Sequence, residues 1–321
     1  MQAVHSEHAK NLLNDSWRNY QLWKSSALKD SPLNKFSTGD LSTLKVPNVR
    51  QQLLDFYNKS YSANLMKLVV YSKEDVDSLS EFIGEKFGGI INKDLKNYSL
   101  PGVPFNETVL GNLYRYVPIK DKQTVEFIWI ISNFKPHYKN SPGKYVSHLV
   151  GHEGPGSLLS LLIKEGLALE LSAGSTDEYN TYTELQISVT LTDKGLDNVW
   201  LIASYLFSYL NMLRKEGPQQ WVFEEIKKIN KLKFDFADKK QGMSAAAQLS
   251  KRMHEVPVEE VMFKEFFMEE WHPELIVDYL GQLSKKNLRV IVASQKFEKE
   301  CTLVEPIYGT KYAVEELPEI K

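Results

Sequence analysis

Seven histidines and one cysteine limit where this 321-residue chain could hold a metal or run nucleophilic chemistry. His148 and His152 stand four apart, the spacing at which a helix offers two imidazoles to one metal ion. The glycines around them argue for a broken helix instead. Gly154-Pro155-Gly156-Ser157, ahead of Leu158, Leu159, Leu161 and Leu162, is a helix-start signal. Two readings stay open here: backbone turning with a cap, or capture of an anion or a peptide terminus by free N–H groups. The second cluster, His5-Ser6-Glu7-His8, packs two imidazoles and a carboxylate into four residues. On a helix His5 and His8 are i,i+3 neighbours with no third ligand in view, so a surface helix with incidental histidines competes with a partial zinc site.

Leu167 to Gly174 reads as a strand that ends in small residues, Ser172, Ala173 and Gly174. It is either an ordinary edge or an edge left bare for an added peptide strand, which small side chains would let approach closely. Lys227, Lys228, Lys231 and Lys233 interleave with Ile226, Ile229 and Leu232, the pattern of a solvated helix face.

These residues need elements to position them. Apolar spacing predicts one helix from about His5 to Leu28, which carries Glu7 and Trp17, then a helix over 49–60 and a strand over 65–71. Ser72 and Asp75 suggest a capping box that opens a further helix with Val76, Leu79, Phe82, Ile83 and Phe87 as its buried stripe. Periodicity lapses over 97–107 around Pro101, Gly102 and Pro104, which reads as an interdomain linker. Strands resume at 113–119, 125–131 and 184–191, followed by helices over about 193–213, 219–236 and 245–252.

Composition is that of a folded protein, 42% hydrophobic and 25% charged. Its length favours two domains. With 39 basic and 41 acidic side chains there is no bulk field to recruit nucleic acid or an anionic membrane. No apolar run approaches bilayer length, and the lone Cys301 cannot close an intrachain disulfide, so a cytoplasmic address is expected.

An internal echo organises the chain. Leu53 to Tyr57, then Asn64-Leu65, is repeated by Ile276 to Leu280, then Asn287-Leu288, so that Asp55 precedes Asp278, and Asn64 precedes Asn287, by the same 223 positions. A true repeat of that period puts the start of the first copy upstream of Met1. The fold expected is α+β: two similar units, each an antiparallel-rich sheet packed with helices, the first incomplete at its N-terminus.

The same segments resemble the insulysin and nardilysin branch of the pitrilysin family of inverted-motif zinc metallopeptidases. The matching text is Ala3-Val4-His5-Ser6-Glu7-His8, Leu12 to Trp17, Lys35 to Gly39, Tyr114 to Lys120, Gly151-His152-Glu153-Gly154-Pro155-Gly156-Ser157-Leu158, Gly217-Pro218 and Tyr308-Gly309-Thr310. The resemblance implies that Glu7 is the downstream glutamate of a Zn2+ site whose two histidines and catalytic base come from a His-x-x-Glu-His helix. That motif is absent from this chain and is expected upstream of Met1, so the segment alone should be inactive. Trp17 matches a position near the substrate pocket. His148, Gly151 and Glu153, with the edge Leu171-Ser172-Ala173, match the place where the family anchors a peptide's N-terminal end as an added strand.

The implied layout assigns residues 1–100 to the C-terminal part of a catalytic domain and 101–321 to a second, non-catalytic peptide-binding domain. Partners are then peptide substrates and the remaining domains of a longer protein, with a homodimer left open. Two rival readings stand beside the metalloendopeptidase: a scaffold subunit with a degenerate metal site, and a free-standing peptide-binding module.

Overall fold

The computed structural model describes residues 1–99, 101–176 and 179–319. Its helices are α1 (Gln2–Asn11), α2 (Asp15–Ser25), α3 (Leu41–Leu44), α4 (Val49–Ser60), α5 (Val76–Phe87), α6 (Pro142–Val150), α7 (Leu158–Lys164), α8 (Asp193–Asp197), α9 (Val199–Glu216), α10 (Gln220–Asp235), α11 (Gly242–Arg252) and α12 (Pro273–Gly281). Its strands are β1 (Asn112–Tyr116), β2 (Thr124–Ile131), β3 (Ala168–Thr176), β4 (Thr183–Leu191), β5 (Leu288–Ala293), β6 (Leu303–Val304) and β7 (Lys311–Glu316). The chain divides into two units, one of Met1–Leu41, Leu100–Ile226 and Met268–Lys321, the other of Ser42–Ser99 and Lys227–Phe267.

All seven strands belong to the first unit and form one sheet in the order β3-β4-β2-β5-β1-β7-β6. Only β1 and β5 run parallel; the remaining pairs are antiparallel, which makes the fold the antiparallel-rich α+β arrangement expected. Strand alternation sends Val125, Phe127, Trp129, Leu185, Ile187, Val189, Val290 and Val292 to one face. There they bury against α6, α7, α9 and α12 through side chains such as Val146, Leu162, Ile202, Leu206 and Tyr279. Each large apolar side chain so buried contributes roughly 1.5–3 kcal/mol, which makes this face the core of the unit. Arg214 of α9 donates to the carbonyls of Leu280 and Leu283, at and just beyond the end of α12, and ties the two helices together. The opposite face carries Tyr114, Tyr116, Ile128, Ile130 and Ile291 beneath Leu22 and Trp23 of α2.

The single helix expected from His5 to Leu28 is two. The break falls at Leu12 to Asn14, where extended Asn14 turns its carbonyl oxygen onto the Ser16 and Trp17 amides at 2.9 and 3.3 Å and starts α2 afresh. Arg18 then fixes α2. Its guanidinium donates to the carbonyls of Tyr308 (2.6 Å) and Gly309 (3.3 Å), in a turn held from within by the buried Glu305 carboxylate, which accepts from the Ile307 and Tyr308 amides.

The second unit departs further from the sequence pattern. Residues 66–71 belong to no strand, because no neighbouring strand among the described residues completes a ladder. The expected Ser72 cap is replaced by Asp75, whose carboxylate accepts from the Ser78 amide. The stripe expected to be buried on α5 is not, since Val76, Phe82 and Phe87 are exposed, as are Leu53, Phe56 and Tyr57 of α4. The order of this unit comes from Phe234 packed on Phe263 and Phe266, and from the ion pairs Arg252 to Glu265 and Lys264 to Glu255.

Candidate peptide-binding edge and flanking helices

Strand β3 is a terminal strand of the sheet, paired with β4 alone among the described residues, so one side of its backbone is open. The end of α6 lies against it. A Cβ built on Gly151 would sit 3.6 Å from both the Cβ and the backbone nitrogen of Ala173, an ordinary contact, and 2.9 Å from the Ser147 carbonyl oxygen, so glycine is what lets the helix end turn this tightly beside the strand. The chain then turns through Gly156 at φ 84° to Ser157, the N-cap of α7, whose hydroxyl accepts from the Ser160 amide. Glu153, exposed in that turn, lines a cavity of about 580 Å³ together with Leu171, Ser172, Lys122, Leu159 and Ile163.

The structure therefore brings Gly151, Glu153, Leu171, Ser172 and Ala173 to one edge. His148 stands on α6 behind them, half-buried, its ring 6.2 Å from that of His152. His152 uses Nδ1 to accept from the Gly154 amide at 3.1 Å, which makes this imidazole part of the turn. An open strand edge beside a carboxylate can add an extended peptide by main-chain hydrogen bonding and face a cationic terminus.

Glu7 and Trp17 lie elsewhere, on α1 and α2. Glu7 is exposed, and no described residue engages its carboxylate. His8 is buried between the rings of Phe36 (4.8 Å) and Tyr308 (5.0 Å), both edge-on, so it anchors α1 and does not join Glu7 as a donor. No group of three His, Cys, Asp or Glu side chains among the described residues converges on a metal position. The described residues do not by themselves form a zinc site. Trp17, half-buried, meets Tyr20 edge-on at 6.2 Å, and Tyr20 stacks on Trp23 at 5.9 Å.

Behind those aromatic rings is a place the sequence reading missed. A cavity of about 320 Å³ is lined by Asn19, Tyr20, Trp23, Glu126, Tyr179 and Glu184, among others. The Asn19 amide donates to both Glu126 oxygens at 3.2 and 3.1 Å. Burial pushes the Glu126 carboxyl above the usual range, opposed by that hydrogen bond and by the charges of Arg289 and Lys122. Arg289, fully buried in β5, holds its guanidinium 3.9 Å from the Tyr114 ring centre and donates to the Ser26 hydroxyl at 2.8 Å. Burial lowers its pKa to about 10, and its Nε and second terminal nitrogen have no partner among the described residues. The available signal was a single charge inside each of two otherwise β-branched and aromatic runs, Thr124–Ile131 and Leu288–Ala293.

Residues 48–230 match the profile described as the peptidase M16 inactive domain, and residues 234–321 match the middle or third domain of peptidase M16. The chain belongs to the M16 peptidase family. It is 39% identical to the insulin-degrading enzyme of Homo sapiens over 323 residues, covering 99% of this chain and 32% of that protein. It is 35% identical to the A-factor-processing enzyme of Saccharomyces cerevisiae over 326 residues, with 98% and 31% covered. The crystal structure of pitrilysin superposes with a TM-score of 0.92 at 28% identity, covering 98% of this chain and 34% of that one. This M16 chain thus spans about a third of the length of the relatives it matches. M16 metallopeptidases are zinc-dependent, and most of this segment corresponds to a domain type described as inactive. No described helix is long and apolar enough to cross a membrane.

Proposed function

We propose that this chain is part of a cytoplasmic zinc metalloendopeptidase that degrades short to medium peptides, and that its own share of the work is to capture the substrate's N-terminal end. One observation carries the reading: β3 is an edge strand with an open side, and Gly151 and Glu153 stand beside it. A peptide adds to β3 as a further strand, pairing with backbone groups around Leu171, Ser172 and Ala173. Main-chain pairing tolerates many sequences, as a degrading enzyme requires. The Glu153 carboxylate takes the terminal ammonium, and His148 backs the turn that presents it.

Glu7 supplies one zinc ligand and completes a site with two imidazoles from outside these residues. Zinc held there would supply the Lewis acidity that activates a water toward a peptide carbonyl. In this arrangement residues 1–100 finish a catalytic domain, residues 101–321 form the peptide-binding one, and Trp17 lines the approach between them and the substrate. The exposed apolar stripes of α4 and α5 are covered by further domains of the longer protein.

Fluorescence anisotropy with a labelled peptide tests the capture step on this chain. A free N-terminal amine should bind, and acetylating it should weaken binding about tenfold through loss of the charge-assisted contact to Glu153. Equal affinity for the two forms, or no binding to either, overturns the reading. Peptide binding with no zinc-dependent cleavage by the longer protein favours the scaffold alternative.

A further inference from the structure

The 320 Å³ cavity under α2 has no part in capture of a peptide's N-terminus, yet its lining is one-sided. Its polar lining includes the carboxylates of Glu126 and Glu184 and the amides of Asn19 and Gln186. Asn19 spends its N–H groups on Glu126, and its carbonyl oxygen is buried with no partner among the described residues. The one hydrogen-bond partner Glu126 has among them is that neutral amide. Arg289 does not line the space; it faces the Tyr114 ring and the Ser26 hydroxyl. A buried amide oxygen with no partner among the described residues, beside a desolvated carboxylate bonded only to a neutral amide, favours a cationic donor over water.

The remaining walls say what kind of cation. Tyr20, Trp23 and Tyr179 offer aromatic faces, and Ile128 and Ile291 add an apolar floor. Such walls suit an alkyl stem with a charged head and do not suit a bare metal ion, which needs an oxygen cage.

Sheet register connects the cavity to the open edge. Ser172 of β3 pairs with Ser188 of β4, which pairs with Glu126 of β2. A peptide strand added on the open side of β3 stands three strand spacings, about 14 Å, from Glu126 and two, about 10 Å, from Glu184, which pairs with Thr176. Thr176 of β3 itself lines the cavity. Resting on the capture of a peptide along β3, we infer that this cavity is a specificity pocket for a basic side chain, lysine or arginine, of the bound peptide, with Glu126 and Glu184 as its charge-recognising residues.

The test walks one arginine along an otherwise neutral peptide with a free amine, each version paired with a citrulline twin that keeps the shape and loses the charge. At one or two positions the arginine peptide should bind at least about tenfold more tightly than its twin. E126Q should abolish that gain and E184Q reduce it, while both leave the citrulline peptides unchanged; thermal melts confirm that each variant is folded. Equal binding of the twins at every position, or a gain that survives in both variants, overturns the pocket and leaves peptide capture standing. Should no peptide bind, capture along β3 fails and agmatine, titrated alone, decides: heat of binding lost in E126Q supports a cation pocket, and heat absent or unaltered by E126Q overturns it.

Discussion

A methyl group on the Cα of Gly151 would meet the Cβ and backbone nitrogen of Ala173 at 3.6 Å, and the Ser147 carbonyl oxygen at 2.9 Å. The contact with Ala173 is ordinary packing, whereas the contact with Ser147 is one that real Cβ atoms do not make. Gly151→Ala should therefore distort the last turn of α6, and Gly151→Val, with its larger side chain, should also crowd Ala173 of β3. We expect peptide affinity to fall by about tenfold in the first and more in the second, with a stability loss of about 1–3 kcal/mol from overpacking. Anisotropy and thermal melts on the same samples separate the two effects.

Consecutive residues of a strand point their N–H groups in opposite directions, so proline at Ser172 and proline at Ala173 are unlike experiments. One variant breaks a ladder bond to β4 and should lower the melting temperature. Its twin removes only a donor on the open side and should melt like the parent while peptide binding drops. If both melt normally and both bind normally, β3 is not the docking strand.

Glu126 predicts a stability difference that depends on pH. Its carboxyl titrates higher in the folded protein than in the unfolded chain, so the folded state holds the proton more firmly, and stability declines as pH rises through the unfolded value of roughly 4.3 toward the folded one. Glu126→Gln removes the ionisation while still accepting from Asn19. Its melting temperature should exceed the parent's at pH 7, and the gap should close by pH 4; a gap that is constant across this range contradicts the desolvated carboxylate.

Asn14 starts α2 by bonding two amides, and α2 carries Trp17, Asn19, Tyr20 and Trp23. Asn14→Ala should cost about 1 kcal/mol, and about 2–4 °C in melting temperature. Agreement of calorimetric and spectroscopic melts checks that the loss is global.

A chelator should leave the melting temperature of this chain where it was, because its described residues gather no three metal donors. Addition of zinc should likewise fail to raise it at stoichiometric concentration, in contrast to a protein whose fold includes the ion. A zinc-dependent shift abolished by Glu7→Gln would mean that the chain holds the metal unaided.

Sequence legibility tracked local physics. Alternation in Glu184–Leu191 and the apolar spacing of about 193–213 located β4 and α9, since each buries one face in a single unit, although Asn198, off helical geometry, divides the expected helix into α8 and α9. The two halves of the echo share one local feature. Asn64 and Asn287 both come after a helix, both sit at a short 3-10 turn, and both donate their amide to a carbonyl, Leu95 in one case and Ile130 in the other. The segments beyond the two asparagines then diverge, because β5 finds β1 and β2 beside it whereas 66–71 finds no described strand. Binary pattern encodes a wish to pair and is silent about partners. The break at Leu12 to Asn14 escaped notice because the apolar spacing continues across it and a single capping amide decides the matter. The Glu126 cavity escaped because a lone acid in an apolar run has no motif.

The parallel pairing of Leu113 with Val290 puts a late piece of chain in the middle of the sheet, flanked by two strands that precede it by more than a hundred and fifty residues. During synthesis β1 and β2 leave the ribosome with nothing between them and must wait for Leu288–Ala293 to arrive. So distant a pairing slows folding and leaves raw strand borders to be shielded meanwhile. A polypeptide that stops short of Leu288 keeps a three-stranded β3-β4-β2 piece and a lone β1 with no seam to join them, so nascent chains of this protein should depend on chaperones until Leu288–Ala293 emerges.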